Sequence, residues 1–325
     1  MSSETTPEAL LARARGGSRR ALGRLITYAE AGGTIADGVD RLVFAQPGTT
    51  WVIGVVGAPG VGKSTLTGQL AAAAATGHPR TPAPRVAVIA VDPSSPVSGG
   101  AILGDRVRMD AIASEHGVFV RSMAHRGATG GLAHAVPIAV RILSAAGVEV
   151  IVIETVGVGQ IELEIASVAD TTVAVMSAGW GDAIQANKAG LLEVADLLVV
   201  NKADRPGAHA AQRDLDQMLD LGTTPSAGAG DPAWRPLVIP TIATRAAGVE
   251  ELWDAICAHR SWLETTGECD RRRREHLRHE IRTRALAGIT RRLDAVVAAT
   301  DFSPTTVTPG EWATLLEHQL CEPHD

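Results

Sequence analysis

The chain has 325 residues, is 45% hydrophobic and carries a formal charge of −6, which suits a globular protein with a full buried core. Aromatic residues make up only 3%, and with an acidic total this leaves little to stack bases or neutralise a phosphate backbone, so nucleic acid is not expected as a partner. Three widely spaced cysteines, Cys257, Cys269 and Cys321, give neither a disulfide framework nor a zinc knuckle, and a reducing, cytoplasmic setting fits. No apolar run reaches the roughly 18 residues of a spanning helix, so no membrane is expected. The start, MSSETTPEALLARARGG, lacks a secretory apolar centre; its Arg and Ser faintly suggest a transit peptide, and Glu4 and Glu8 count against one.

In chain order, a helix is predicted over 7–30, ended by an AGG break. Seven short apolar runs follow: 51–56, 85–91, 117–120, 148–154, 171–176, 196–200 and 236–240. They are rich in Val and Ile without polar alternation, as strands covered on both faces are. The fold class is therefore α/β, with a mainly parallel sheet between helices.

Directly after the first run comes GAPGVGKSTL, in which Gly57, Gly62, Lys63 and Ser64 satisfy GxxxxGK[ST] between a strand and a helix. Here the turn that Pro59 opens directs the N–H groups of Gly60, Val61 and Thr65 onto an anion, helped by the helix dipole. Lys63 then offers a point charge to the β and γ phosphates, and the Ser64 hydroxyl is a candidate Mg²⁺ ligand. Three carboxylates supply further hard oxygens: Asp92 after the second run, Asp105 in the loop that follows it, and Glu154 at the end of the fourth. Mg²⁺ keeps several waters, so not all three need touch it.

The stretch ETVGVGQ, 154–160, corresponds to the DTxGQ switch of GTPases, with Gly157 offering its N–H to the γ phosphate. Val158 stands where a water-orienting Gln is common, which predicts slow unassisted hydrolysis; whether Gln160 reaches in stays open. Base choice comes from NKAD after the sixth run. The ionised carboxylate of Asp204 only accepts hydrogen bonds and matches the N1–H and amino group of guanine, whereas adenine lacks that N1–H. Asn201 is expected to tie this loop to the phosphate loop, and the Lys202 stem to cover the base. In TIATRAAGV, Ile242 replaces the Ser common there, leaving main-chain contacts around Ala243 and Thr244. GTP and GDP with Mg²⁺ are thus the expected ligands.

Helices are predicted over 249–263 and 270–298; the second places Leu277, Ile281, Ala285, Ile289, Leu293 and Val297 on one face, as an amphipathic arm outside the sheet. The run Arg271 to Arg274 reads as a solvated helix face rather than a binding patch.

The blocks DPSSPVSGGAILGDRVRM, ETVGVGQIELE and SAGWGDAIQANKAGLLEVADLLVVNKAD resemble the MeaB/ArgK family of SIMIBI-class P-loop GTPases over about 45–260. The resemblance implies a GTPase that gates cofactor loading and protects an adenosylcobalamin-dependent acyl-CoA mutase, with methylmalonyl-CoA mutase favoured and isobutyryl-CoA relatives open. It also implies a homodimer joined through the C-terminal arm, catalytic roles for Lys63, Glu154 and Gly157, and a third switch at Asp182, Gln185 and Lys188. The corresponding organisation is a helical extension over 1–44, a GTPase domain over 45–262 and an arm over 263–325. A metallochaperone GTPase is the alternative, disfavoured because the ten His are scattered and no Cys pair flanks the phosphate loop. A phosphotransferase is less favoured still.

Overall fold

The computed structural model describes residues 5–46, 49–77, 83–93, 115–125, 131–155, 160–177, 192–222, 233–300, 308 and 310–314. Helices α1 (Pro7–Arg15) and α2 (Arg19–Ala31) share the span expected as one helix, and the reason for the break is local. Gly16 ends the first, and Ser18 caps the second by accepting the Ala21 N–H at 3.3 Å. Thr6 does the same for α1, just ahead of Pro7. A third helix, α3 (Gly33–Phe44), was not among the predicted elements.

All seven predicted strands form: β1 (Trp51–Val56), β2 (Val86–Pro93), β3 (Phe119–His125), β4 (Val150–Thr155), β5 (Thr171–Ser177), β6 (Leu197–Asn201) and β7 (Leu237–Thr241). They make one parallel sheet in the order β3-β2-β4-β1-β5-β6-β7. The intervening helices are α4 (Lys63–Thr76), α5 (Gly131–Ala145), α6 (Gln160–Ala166) and α7 (Ala208–Gly222), and the chain continues through α8 (Val249–Thr266) and α9 (Glu268–Ala299). Alternation along β1 shows why the runs carry no polar face. Val52 and Val56 pack with α1, α2, α3 and α5, while Trp51, Ile53 and Val55 pack with Leu66 and Leu70 of α4 and with Leu252 and Ile256 of α8. Each fully buried Leu, Ile or Val adds about 1.5–3 kcal/mol of hydrophobic stabilisation. The N-terminal helices thus share one core with the sheet.

No residue of α9 is buried, and Leu277, Ile281, Ile289 and Val297 of its expected apolar face are exposed. Its root is anchored. Asp170 and Asp196 each immediately precede a strand and accept a neighbouring strand's N–H, from Val52 at 2.9 Å and Thr172 at 2.8 Å. Arg272 binds both oxygens of Asp196 at 2.8 and 2.7 Å, and Arg273 binds those of Asp170 at 2.9 and 3.1 Å. The solvated-face reading therefore holds for the exposed Arg271 and Arg274, and is corrected for the half-buried Arg272, while Arg273 is exposed and also paired; these two compensate two buried acids. Farther along, Arg141 of α5 binds both carboxylate oxygens of Glu280 on α9, at 2.9 and 2.8 Å, and Asp40 on α3 at 2.9 Å. Arg284 reaches the same Asp40 at 2.6 Å.

On α8, against Thr171 of β5, lies His259, fully buried. The Trp51 indole can only donate, so the Thr171 hydroxyl accepts from it at 3.1 Å; the same hydroxyl lies 2.9 Å from His259 Nδ1. The Asp196 carboxylate, 3.3 Å from Nε2, favours the ring proton on that nitrogen, which leaves Nδ1 to accept from Thr171. Burial, aided by the nearby Arg272 and resisted by Asp196 and Asp170, pushes the imidazole pKa down to about 4. An unfolded chain would take up this proton near pH 6.5 and the folded one only near 4, so stability is complete above about 6.5 and falls as pH drops through that window. The loss reaches about 3 kcal/mol by pH 4. Urea unfolding at pH 7 and pH 5 should show it, with a flatter dependence in His259→Phe.

Candidate nucleotide site

The phosphate loop leaves β1 at the centre of the sheet, and two glycines fix its path. Gly57 has φ +137°, and a Cβ there would lie 2.2 Å from the Val175 carbonyl oxygen; Gly62, at φ +99°, would place one 2.4 Å from Asn201 Nδ2. No other residue fits either place. After Gly62 the chain enters α4, whose first-turn amides face a cavity of about 400 Å³.

Twelve of the fourteen residues predicted to bind nucleotide line this cavity: Pro59, Gly60, Gly62, Lys63, Ser64, Thr65, Asn201, Lys202, Asp204, Ile242, Ala243 and Thr244. Gly57 and Val61 lie behind it, buried. Lys63 folds over its own loop, its ammonium donating to the carbonyls of Gly57 and, at 2.8 Å, Ala58. Asn201 is the hub. Its Nδ2 donates to the Val61 carbonyl at 2.8 Å, while Oδ1 accepts from the Thr241 hydroxyl and the Ala243 N–H, both at 3.1 Å. Only an amide can both give and take here, so an Asp would lose the tie to the phosphate loop. Lys202 adopts φ +58° and stretches over the phosphate loop to the Gly60 carbonyl, 2.6 Å away.

Register sets the metal-side residues. Val55 pairs with Glu154, and Val91 with Thr155, so β4 ends beside both the phosphate loop and the backbone of Asp92. Glu154 is 1% exposed. Thr155 lines the cavity, and its buried hydroxyl has no hydrogen-bond partner among the described residues. The sequence reading missed Thr155, although its neighbour Glu154 was singled out. The donors in place, a helix-start hydroxyl, a buried carboxylate and an unsatisfied hydroxyl, are all hard oxygens and fit Mg²⁺ beside phosphate. The side chain of Asp92 and all of Asp105, Gly157, Asp182, Gln185 and Lys188 lie outside the described residues.

A second cavity, about 360 Å³, lies between α3, α5 and α9, with largely apolar walls. Among its charged groups Arg141 binds Glu280 and Arg273 binds Asp170, while Glu164 keeps one buried carboxylate oxygen without a hydrogen-bond partner among the described residues; the phosphate-loop cavity is instead lined by the first residues of α4.

Comparison with known proteins decides the relationship, because the family described as methylmalonyl Co-A mutase-associated GTPase MeaB matches residues 22–298. The chain belongs to the MeaB family. The match takes in most of α2, all of α3 and nearly all of α9, well beyond the stretch that carries the motifs. It is 43% identical over 293 residues to a Pyrococcus abyssi protein, covering 90% of this chain and 88% of that one. To the Escherichia coli GTPase ArgK it is 34% identical over 296 residues, 85% and 82% of the two chains. A 204-residue stretch, 62% of this chain, is 38% identical to 18% of a fused isobutyryl-CoA mutase from Cupriavidus metallidurans. The crystal structure of an LAO/AO transport system kinase has the same fold, at TM-score 0.67 over 98% and 99% of the chains with 24% identity. This MeaB-family protein is a GTPase that binds guanine nucleotides.

Proposed function

We propose that the protein is a GTP-driven chaperone of an adenosylcobalamin-dependent acyl-CoA mutase, loading and protecting its cofactor. The observation that carries this is the likeness to part of a fused isobutyryl-CoA mutase, joined to a family described by its association with methylmalonyl Co-A mutase. Methylmalonyl-CoA mutase is the favoured partner.

In this reading the amides of α4 and the Lys63 ammonium hold the phosphates, and Asp204 takes the guanine edge. Ala243 N–H is engaged by Asn201, which leaves the amide of Thr244 for the guanine oxygen. Ser64 and Glu154, with Asp92 and Asp105, would hold Mg²⁺, which when bound neutralises charge developing on the phosphates. Gly157 reads the γ phosphate. Asp182, Gln185 and Lys188 pass its loss to the partner, and without that partner Val158 leaves hydrolysis slow. The helix 268–299, with its exposed apolar face, would join two copies, giving an organisation of 1–44, 45–262 and 263–325.

The test is GTP turnover by the purified protein with and without each candidate mutase, together with co-elution. One mutase should co-elute and accelerate turnover, and Lys188→Ala should keep nucleotide affinity while losing the acceleration. Turnover indifferent to every cobalamin mutase would overturn the reading.

A further inference from the structure

Helix α6 opens with an acid that the phosphate loop uses. The Glu162 carboxylate, 4% exposed, accepts the Gly57 N–H at 3.0 Å. The carbonyl of that same Gly57 accepts the Lys63 ammonium. One residue, held at φ +137° with no room for a Cβ, thus stands between an acid on α6 and the lysine that faces the cavity. In most strand ends such an N–H finds a neighbouring strand's carbonyl; here its acceptor belongs to a helix. That helix is reached from β4 through only residues 156–159.

The same helix has little freedom against the strand. A Cβ at Gly54 of β1 would lie 2.8 Å from Ile165 Cγ2 and 3.0 Å from Ala169 Cβ, so α6 and the turn after it lie directly on the β1 backbone. Apolar contact at Gly54 fixes where α6 sits, and Glu162 transfers that seating to Gly57 three residues along. Any shift of α6 withdraws the acceptor from the Val56–Gly57 peptide and loosens Gly57, whose carbonyl, one peptide further on, orients Lys63.

We infer that Glu162 is a positioning residue for phosphate binding: through Gly57 it sets the Lys63 ammonium, and so couples the seating of α6 to the loop's affinity for a nucleoside triphosphate. This rests on the guanine-nucleotide reading of the cavity. Pre-organised donors bind more tightly than ones that must be ordered on binding, and a hydrogen bond to a buried carboxylate is strong enough to hold a peptide in place.

The experiment measures dissociation constants for fluorescent GDP and for a non-hydrolysable GTP analogue, in the full chain and in Glu162→Ala, Glu162→Asp and Glu162→Gln, with thermal midpoints in the absence of nucleotide. Gln keeps an acceptor oxygen at the same reach and should bind within about threefold of the parent. Asp keeps the charge but withdraws it by one methylene, and should bind the triphosphate about tenfold more weakly, as should Ala. In both, the loss should be larger for the triphosphate than for GDP, a difference that loss of stability alone would not produce. Should Ala fail to fold, the Asp and Gln pair decides. Affinities unchanged in Asp, or Gln as impaired as Asp, would overturn the role of Glu162. A parent chain that binds ADP as well as GDP would instead defeat the reading of the cavity.

Discussion

Replacing Lys63 by Ala should lower kcat/KM for GTP by about a thousandfold, the scale on which removal of a pre-organised donor weakens transition-state stabilisation. The side chain is only 6% exposed, and its ammonium rests on the Gly57 and Ala58 carbonyls at the cavity that α4 opens onto. A phosphate entering there exchanges two neutral acceptors for a charged one. Stability should suffer less. Gly57 is buried and its carbonyl loses the ammonium that it accepts, so the apo protein's unfolding free energy should fall by about 1–3 kcal/mol. Lys63→Arg separates charge from shape, because a planar fork cannot occupy the turn that a compact ammonium fits. Steady-state turnover and nucleotide titration check both variants, and wild-type turnover in Lys63→Ala would remove the lysine from the site.

The largest effect on stability is expected from Asp196→Ala, about 3–5 kcal/mol in urea unfolding at pH 7. Asp196 is 5% exposed and its carboxylate holds two groups at once, the Thr172 N–H and the Arg272 guanidinium through two bonds, with His259 Nε2 at 3.3 Å. Truncation leaves a half-buried cation and a buried amide without their acceptor. The double variant with Arg272→Met should recover part of the loss, since removing both charges is milder than stranding one. If Asp196→Ala alone costs under 1 kcal/mol, the ion pair at the arm's root contributes nothing of note.

Which features the sequence revealed depended on how local their causes are. The strands were legible because burial on both faces forces unbroken Val and Ile runs, and the phosphate loop because its glycines answer to steric demands within a few residues, as at Gly57 against Val175. Helix α3 was not legible. Its sequence GTIADGVDRLVF has two glycines and two aspartates, weak helix formers, and it is held by burial of Ala36, Val39 and Val43 against neighbours. The break at Gly16, Gly17 and Ser18 was readable in principle from its cap. Arg272 and Arg273 looked solvated because their acids, Asp196 and Asp170, lie 76 and 103 residues away. Glu162 had no signal at all: only the placing of α6 on β1 brings it to Gly57.

The quartet of Asp40, Arg141, Glu280 and Arg284 draws its members from three helices that are far apart in sequence, each no more than about a third exposed. A chimera taking its long C-terminal helix from a relative would therefore arrive carrying one acid and one base cut to another body's pattern. Grafts between relatives should succeed in proportion to whether positions 40 and 141 travel with the helix, which makes this ionic lock a barrier to exchanging arms.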